Sequence, residues 1–137
     1  MKSVTAYLSF DGNCRQAVAF YKNCLTADLE VSPYPDASGQ PSSDPAARIM
    51  HSQLAVAGAP ILMASDTPQP GSLRAGNNFS VAIDCDSVAE ADRVFAALAQ
   101  GGEVRMPLMD APWGARFGML TDQFGIQWLI NCQLAPR

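Results

Sequence analysis

At 137 residues, with 48% hydrophobic side chains and two Trp, three Tyr and six Phe, the chain can fill the core of one ordinary domain, which argues against a disordered chain. Nine Lys and Arg against thirteen Asp and Glu leave a formal charge of −4, and the absence of any basic run excludes a nucleic-acid footprint or an anionic membrane surface as partner. A small organic ligand or a protein partner fits that balance.

Val4 to Phe10 reads as a strand, and Gly12-Asn13 turns it into a helix reaching about Leu25. Asn13 with Gln16 matches a capping box at the helix start. Leu29 to Pro33 continues as a strand, and the Pro, Gly and Ser of 33–44 form an exposed loop of a length that often covers a site. Arg48 to Val56 and Pro60 to Ala64 form a hairpin around Ala57-Gly58-Ala59. The first part is therefore a β-α-β-β-β unit, and 67–77 has the composition of a linker.

Phe79 to Cys85 then reads as a strand, Ser87 to Gln100 as a helix, and Gly101-Gly102 as its stop. Glu103 to Met109, Arg116 to Thr121 and Ile126 to Cys132 are three more strands, with turns at 110–114 and 122–125. Ala17, Phe20, Tyr21 and Cys24 recur as Ala91, Val94, Phe95 and Leu98, 74 positions later, and Asn13 recurs as Ser87 at the same offset. Stripe and cap agreeing at one offset mark a duplicated unit. One domain over 1–137 is expected, with a first module of about 1–66, the linker, and a second module of about 78–137. Its class is α+β: two βαβββ modules whose curved sheets face inward as a cup, with the helices outside.

The N-terminus carries no apolar core with a cleavage site, and no stretch approaches the ~18 apolar residues of a membrane span, so a cytoplasmic protein without membrane contact is expected. Cys14, Cys24, Cys85 and Cys132 lie far apart in apolar periodic segments and read as buried free thiols.

Several stretches resemble the vicinal oxygen chelate superfamily of glyoxalase, bleomycin-resistance and dioxygenase proteins, and more narrowly its PhnB-like branch. They are Gly12-Asn13-Cys14-Arg15-Gln16-Ala17 with Phe20-Tyr21, His51-Ser52-Gln53-Leu54, and Leu62-Met63-Ala64-Ser65-Asp66. In the second half, Trp113-Gly114 with Phe117-Gly118-Met119, and Asp122-Gln123-Phe124-Gly125-Ile126-Gln127-Trp128, follow in the same order. Gln16 stands where the pattern has Glu, and Leu25-Thr26-Ala27 replaces a Phe-Gly-Gly helix ending. The resemblance implies a homodimer and, in metal-dependent members, His and Glu ligands on the first and last strands of each module.

Those strands offer Thr5, Tyr7 and Ser9 in the first module and Ser80, Ala82 and Asp84 in the second, and neither closing strand supplies a carboxylate. No cofactor is expected, and metal-independent binding of a small molecule in the cup is the favoured function. The alternative is a metal-dependent lyase, isomerase or dioxygenase, with a carboxylate site completed by a second subunit. Asp66, Asp84 and Asp122 sit beside turns, where local side-chain to backbone bonds are the commoner role.

His51, the one histidine, is the candidate for proton transfer or ligand orientation, because imidazole alone titrates near neutrality without a large environmental shift. Gln53 shares its strand face. Trp113 and Arg116 could set an aromatic wall and a guanidinium at the rim of the cup. Tyr7, His51, Gln53, Met63, Ser65, Trp113, Arg116 and Gln127 make up the expected ligand-binding set, while Trp128 reads as packing that lines the cavity. Neither a nucleophile elbow nor an adenosylmethionine-binding Rossmann segment is recognisable.

Overall fold

Two runs of the same element order make up the chain. The computed structural model describes residues 1–135 and divides into two units, Met1–Arg74 and the chain from Ala75 on. The first holds β1 (Tyr7–Phe10), α1 (Cys14–Leu25), β2 (Asp28–Pro33), β3 (Ile49–Val56) and β4 (Ala59–Asp66). The second holds β5 (Val81–Cys85), α2 (Val88–Ala99), β6 (Glu103–Ala111), β7 (Ala115–Thr121) and β8 (Gln127–Gln133). Both helices have 12 residues, and they start 74 positions apart, at Cys14 and Val88.

Each unit is one four-stranded mixed sheet, in the orders β1-β4-β3-β2 and β5-β8-β7-β6. The first and last strands of each unit pair in parallel and the remaining pairs are antiparallel. The class is therefore α+β, with two helices and two mixed sheets.

In the first unit α1 buries Cys14, Ala17, Val18, Tyr21 and Cys24, the stripe its periodicity requires. They pack on the alternate residues Phe10, Ile49, Leu54, Leu62 and Ala64. Each large apolar side chain buried this way contributes about 1.5–3 kcal/mol. In the second unit α2 buries Ala91, Val94, Phe95 and Leu98 over Leu120, Trp128, Ile130 and Cys132. Gly118 is needed there, because a Cβ would come within 2.7 Å of the Phe95 ring and 2.9 Å of Leu108 Cα.

Several boundaries differ from the sequence reading. β1 begins at Tyr7 rather than Val4, and β5 at Val81 rather than Phe79. β6 runs on to Ala111 because Asp110 and Ala111 still pair with Arg116 and Ala115, so the turn starts two residues later than expected.

The two helix starts are capped in different ways. Ser87 has extended geometry and its side chain accepts from Glu90 N, while the Glu90 carboxylate accepts from Asp86 N at 3.0 Å. Asn13 lies at φ −111, ψ 17 and makes no side-chain cap bond, which corrects the capping box read there. Asp66 does that work from the end of β4: its Oδ1 accepts from Gly12 N at 2.7 Å and Cys14 N at 3.0 Å, and its Oδ2 from Ile49 N at 2.8 Å. The turn at 122–125 matches its expectation, with Gly125 at φ +88 and Asp122 accepting from Phe124 N and Ile126 N. All four cysteines are free and buried.

Candidate functional site

A helix covers only one face of each sheet, so alternation along the strands decides which side chains stand on the other, open face. In the first unit Phe10 and Asp66 turn toward α1, as does Ser52, whose hydroxyl lies 3.8 Å from Cys14 Sγ. Their neighbours point away. Register pairs Tyr7 with Met63, Ser9 with Ser65, Gln53 with Met63 and Ser32 with His51. Five of the expected ligand contacts, Tyr7, His51, Gln53, Met63 and Ser65, thus share the open face of one sheet.

The Tyr7 hydroxyl lies 2.9 Å from His51 Nδ1, and the two rings are 5.7 Å apart with 31° between their planes. The hydroxyl and imidazole come from β1 and β3, which flank β4 in the sheet order, so the bond bridges across β4. Tyr7 is 47% exposed. Asp28 and Glu30, on the adjacent strand β2, alternate with Leu29 and face the same way. Among the described residues, no Lys or Arg of these four strands stands on this face. The arrangement can hydrogen-bond a polar group and lay an apolar one against Tyr7 and Met63.

In the second unit the open face is apolar and aromatic over β6 and β7. Met106 pairs with Met119, Met109 with Phe117, and Met119 with Leu129. Trp113, 65% exposed, packs edge-on against Phe117 at a centroid distance of 5.7 Å. Sequence reasoning named Trp113 but missed these neighbours, although Phe117 and Met119 alternate around Gly118 with the period of a strand.

Gln127 stands on this face, where its amide accepts from Arg105 Nη1 and donates to Phe79 O. Arg116 does not. It pairs with Cys132 on the helix side and binds Asp92 of α2 at 2.9 Å and Asp110 at 3.1 Å, so its guanidinium is held in a structural cluster. Trp128 also faces the helix, 1% exposed, with its Nε1 donating to Asp122 Oδ2 at 2.8 Å.

The residues present do not suit the divalent ion of metal-dependent relatives. The open-face positions of β1 and β4 carry Tyr7, Ser9, Ile61, Met63 and Ser65, and those of β5 and β8 carry Ala82, Asp84, Gln127, Leu129 and Asn131. Asp84 is the one carboxylate in that set and accepts from Asn131 Nδ2 at 3.0 Å. The carboxylates of Asp66 and Asp122 are buried and taken up by N–H donors. Among the described residues no three His, Cys, Asp or Glu side chains gather as a ligand set.

Thiol chemistry is equally disfavoured, since burial pushes the Cys14 and Cys85 thiols up to about 11. No helix among the described residues is long and apolar enough to cross a membrane.

A family model described as 3-demethylubiquinone-9 3-methyltransferase matches residues 2–131. Protein YjdN of Escherichia coli is 33% identical over 139 residues, covering 93% of each chain. Among solved structures, protein PA1353 from Pseudomonas aeruginosa superposes with a TM-score of 0.82 at 40% identity, covering 98% of this chain and all of that one. A putative 3-demethylubiquinone-9 3-methyltransferase, PhnB protein, from Bacillus cereus gives 0.77 at 25% identity, with 96% and 99% covered. The same fold recurs in a glyoxalase/bleomycin resistance protein/dioxygenase family enzyme from Burkholderia phytofirmans and in the fosfomycin resistance protein FosX from Listeria monocytogenes.

Proposed function

The chain belongs to the PhnB-like family of the vicinal oxygen chelate superfamily, and from that membership we propose that it binds a small organic molecule without a metal, on the open face of its first sheet. The observation that carries this reading is the Tyr7–His51 hydrogen bond on a face that also presents Gln53, Met63 and Ser65. His51 orients the ligand, Gln53 and Ser65 supply donors and acceptors, and Tyr7 and Met63 give apolar contact. Trp113 of the second unit, exposed beside Phe117, offers an aromatic surface of its own. Arg116 and Gln127 are left out, because each is engaged by protein partners.

The family's description names a methyltransferase, an activity this reading does not use. Neither sheet has the doubly wound parallel order at whose switch point dinucleotide-type cofactors bind. Four free, buried thiols suit a reducing cytoplasm, where we place the protein. We also propose a homodimer, since the edge strand β6 exposes Val104, Met106 and Met109, and an open edge invites a partner.

Fragment screening by NMR on chelator-treated protein tests the binding reading. Small polar aromatic molecules are expected to shift the signals of Tyr7, His51 and Gln53 together. Shifts confined to other surfaces, or none across a broad library, would refute it.

A further inference from the structure

Four open-face residues of the first unit fall into one row that crosses every strand of its sheet. Register pairs Glu30 with Gln53, Gln53 with Met63 and Met63 with Tyr7, so the row runs carboxylate, amide, thioether and phenol from β2 to β1. Neighbouring strands lie about 4.8 Å apart, which sets Glu30 roughly 10 Å from Met63 and roughly 14 Å from Tyr7 along the backbone row. Asp28, two positions before Glu30, faces the same way and adds a second carboxylate at that end.

Asp28 and Glu30 are exposed, and among the described residues neither side chain has an ion pair or a hydrogen bond. Arg48, which immediately precedes β3, is spent on Asp11 and the Thr67 carbonyl. An uncompensated negative end is thus separated by Gln53 from an apolar end made by Met63 and Tyr7. The Tyr7 hydroxyl is tied to His51, which fixes the phenol ring at that end. An anion would be repelled by the first end, and a purely apolar molecule would leave it unused.

We propose that this row selects an organic cation, an arylalkylamine protonated at neutral pH, with its ammonium at Asp28 and Glu30 and its ring over Met63 and Tyr7; this rests on the first open face being the ligand site. The ammonium makes charge-assisted hydrogen bonds to the carboxylates. Gln53 accepts from the same group or from a donor on the ring. The thioether of Met63 and the phenol of Tyr7 give the ring sulfur–aromatic and ring–ring contact.

The test uses three indole probes that differ in charge: tryptamine, its neutral isostere tryptophol, and indolepropionate. Each is titrated into isotope-labelled, chelator-treated protein and followed by NMR. Tryptamine is expected to bind about 5-fold tighter than tryptophol, the gain from two partly screened charge pairs, and indolepropionate weakest. Its shifts should fall together on Glu30, Gln53 and Tyr7, and added salt should narrow the gap between amine and alcohol. In the double variant Asp28→Asn with Glu30→Gln, tryptamine and tryptophol are expected to bind within about 2-fold of each other, the variant's fold being checked by its melting curve. Carboxylates that only guard an edge strand against strand addition predict equal binding of the three probes. That result, or a preference for tryptamine that survives in the double variant, overturns the proposal and leaves the binding reading intact. Failure of all three to bind overturns the cation assignment, whereas failure of the fragment library strikes the binding reading itself.

Discussion

Thr26 ends α1 at φ +52, and Ala57 begins the β3–β4 turn at φ +51, followed by Gly58 at φ +80. A side chain with a Cβ in that left-handed region costs about 1–2 kcal/mol, and more than half of this returns if glycine replaces it. Ala57→Gly is therefore expected to raise unfolding stability by about 1 kcal/mol, measured by urea denaturation. Asp66 shows the opposite sensitivity. Its side chain is buried and accepts three backbone N–H bonds, so Asp66→Ala leaves three donors unmet and is expected to cost about 3 kcal/mol or more. Asp11 is held below the usual carboxylate range by Arg48, whose Nη2 donates to it at 2.9 Å, and by Gly71 N–H. Its contribution to stability is complete above the ordinary aspartate range and is lost as pH falls through the lowered value. Arg48→Gln should move the Asp11 carboxyl titration upward in an NMR pH series. Tyr7, His51, Gln53, Met63 and Ser65 were legible because strand alternation fixes which side chains share a face. Asp66 was legible only as a residue beside a turn, since two of its partners, Gly12 and Cys14, are more than 50 positions away and no local pattern announces them.

At the scale of elements, the helices show how a duplicated unit diverges while keeping its geometry. α1 and α2 have the same length and the same buried stripe, yet one is capped by its own Ser87 and the other by a carboxylate from a distant strand. Ser87→Ala is expected to cost about 1 kcal/mol, whereas Asn13→Ala should change stability by only a few tenths, because Asn13 makes no cap bond. Equal costs in denaturant melts would show that the caps are assigned wrongly. Strand centres were readable from apolar alternation, but strand ends were not. β1 loses Val4, Thr5 and Ala6 because none of them has a register partner on β4, and β6 gains Asp110 and Ala111 because β7 pairs with them. The face of Arg116, expected at the rim of the cup, was not legible for a related reason: it depends on register with Cys132 of β8, a pairing the sequence alone does not display.

For the molecule as a whole, both units repeat one order of elements and one pattern of pairing, and the offset of 74 holds from β1 to β5 and from α1 to α2. It breaks after β2, where a long loop leads to β3 while a tight turn joins β6 to β7. The duplicated architecture was legible because helix stripes and caps are local signals that copy together. The site was only partly so, because polarity on one open face and Met-rich apolarity on the other emerge from register across strands. Among the described residues, His51, Asp28, Glu30 and Asp84 stand on open faces but no three His, Cys, Asp or Glu side chains gather as the ligand set an ion needs. The most direct measurement is a thermal-shift comparison on chelator-treated protein, with small organic ligands on one arm and stoichiometric zinc, nickel, manganese or iron(II) on the other. Metal-independent binding predicts that an organic ligand raises the melting temperature in the presence of chelator, that Tyr7→Phe reduces the rise, and that no metal produces one. Stabilisation by a single metal at one equivalent, with organic ligands acting only after it is added, would contradict it.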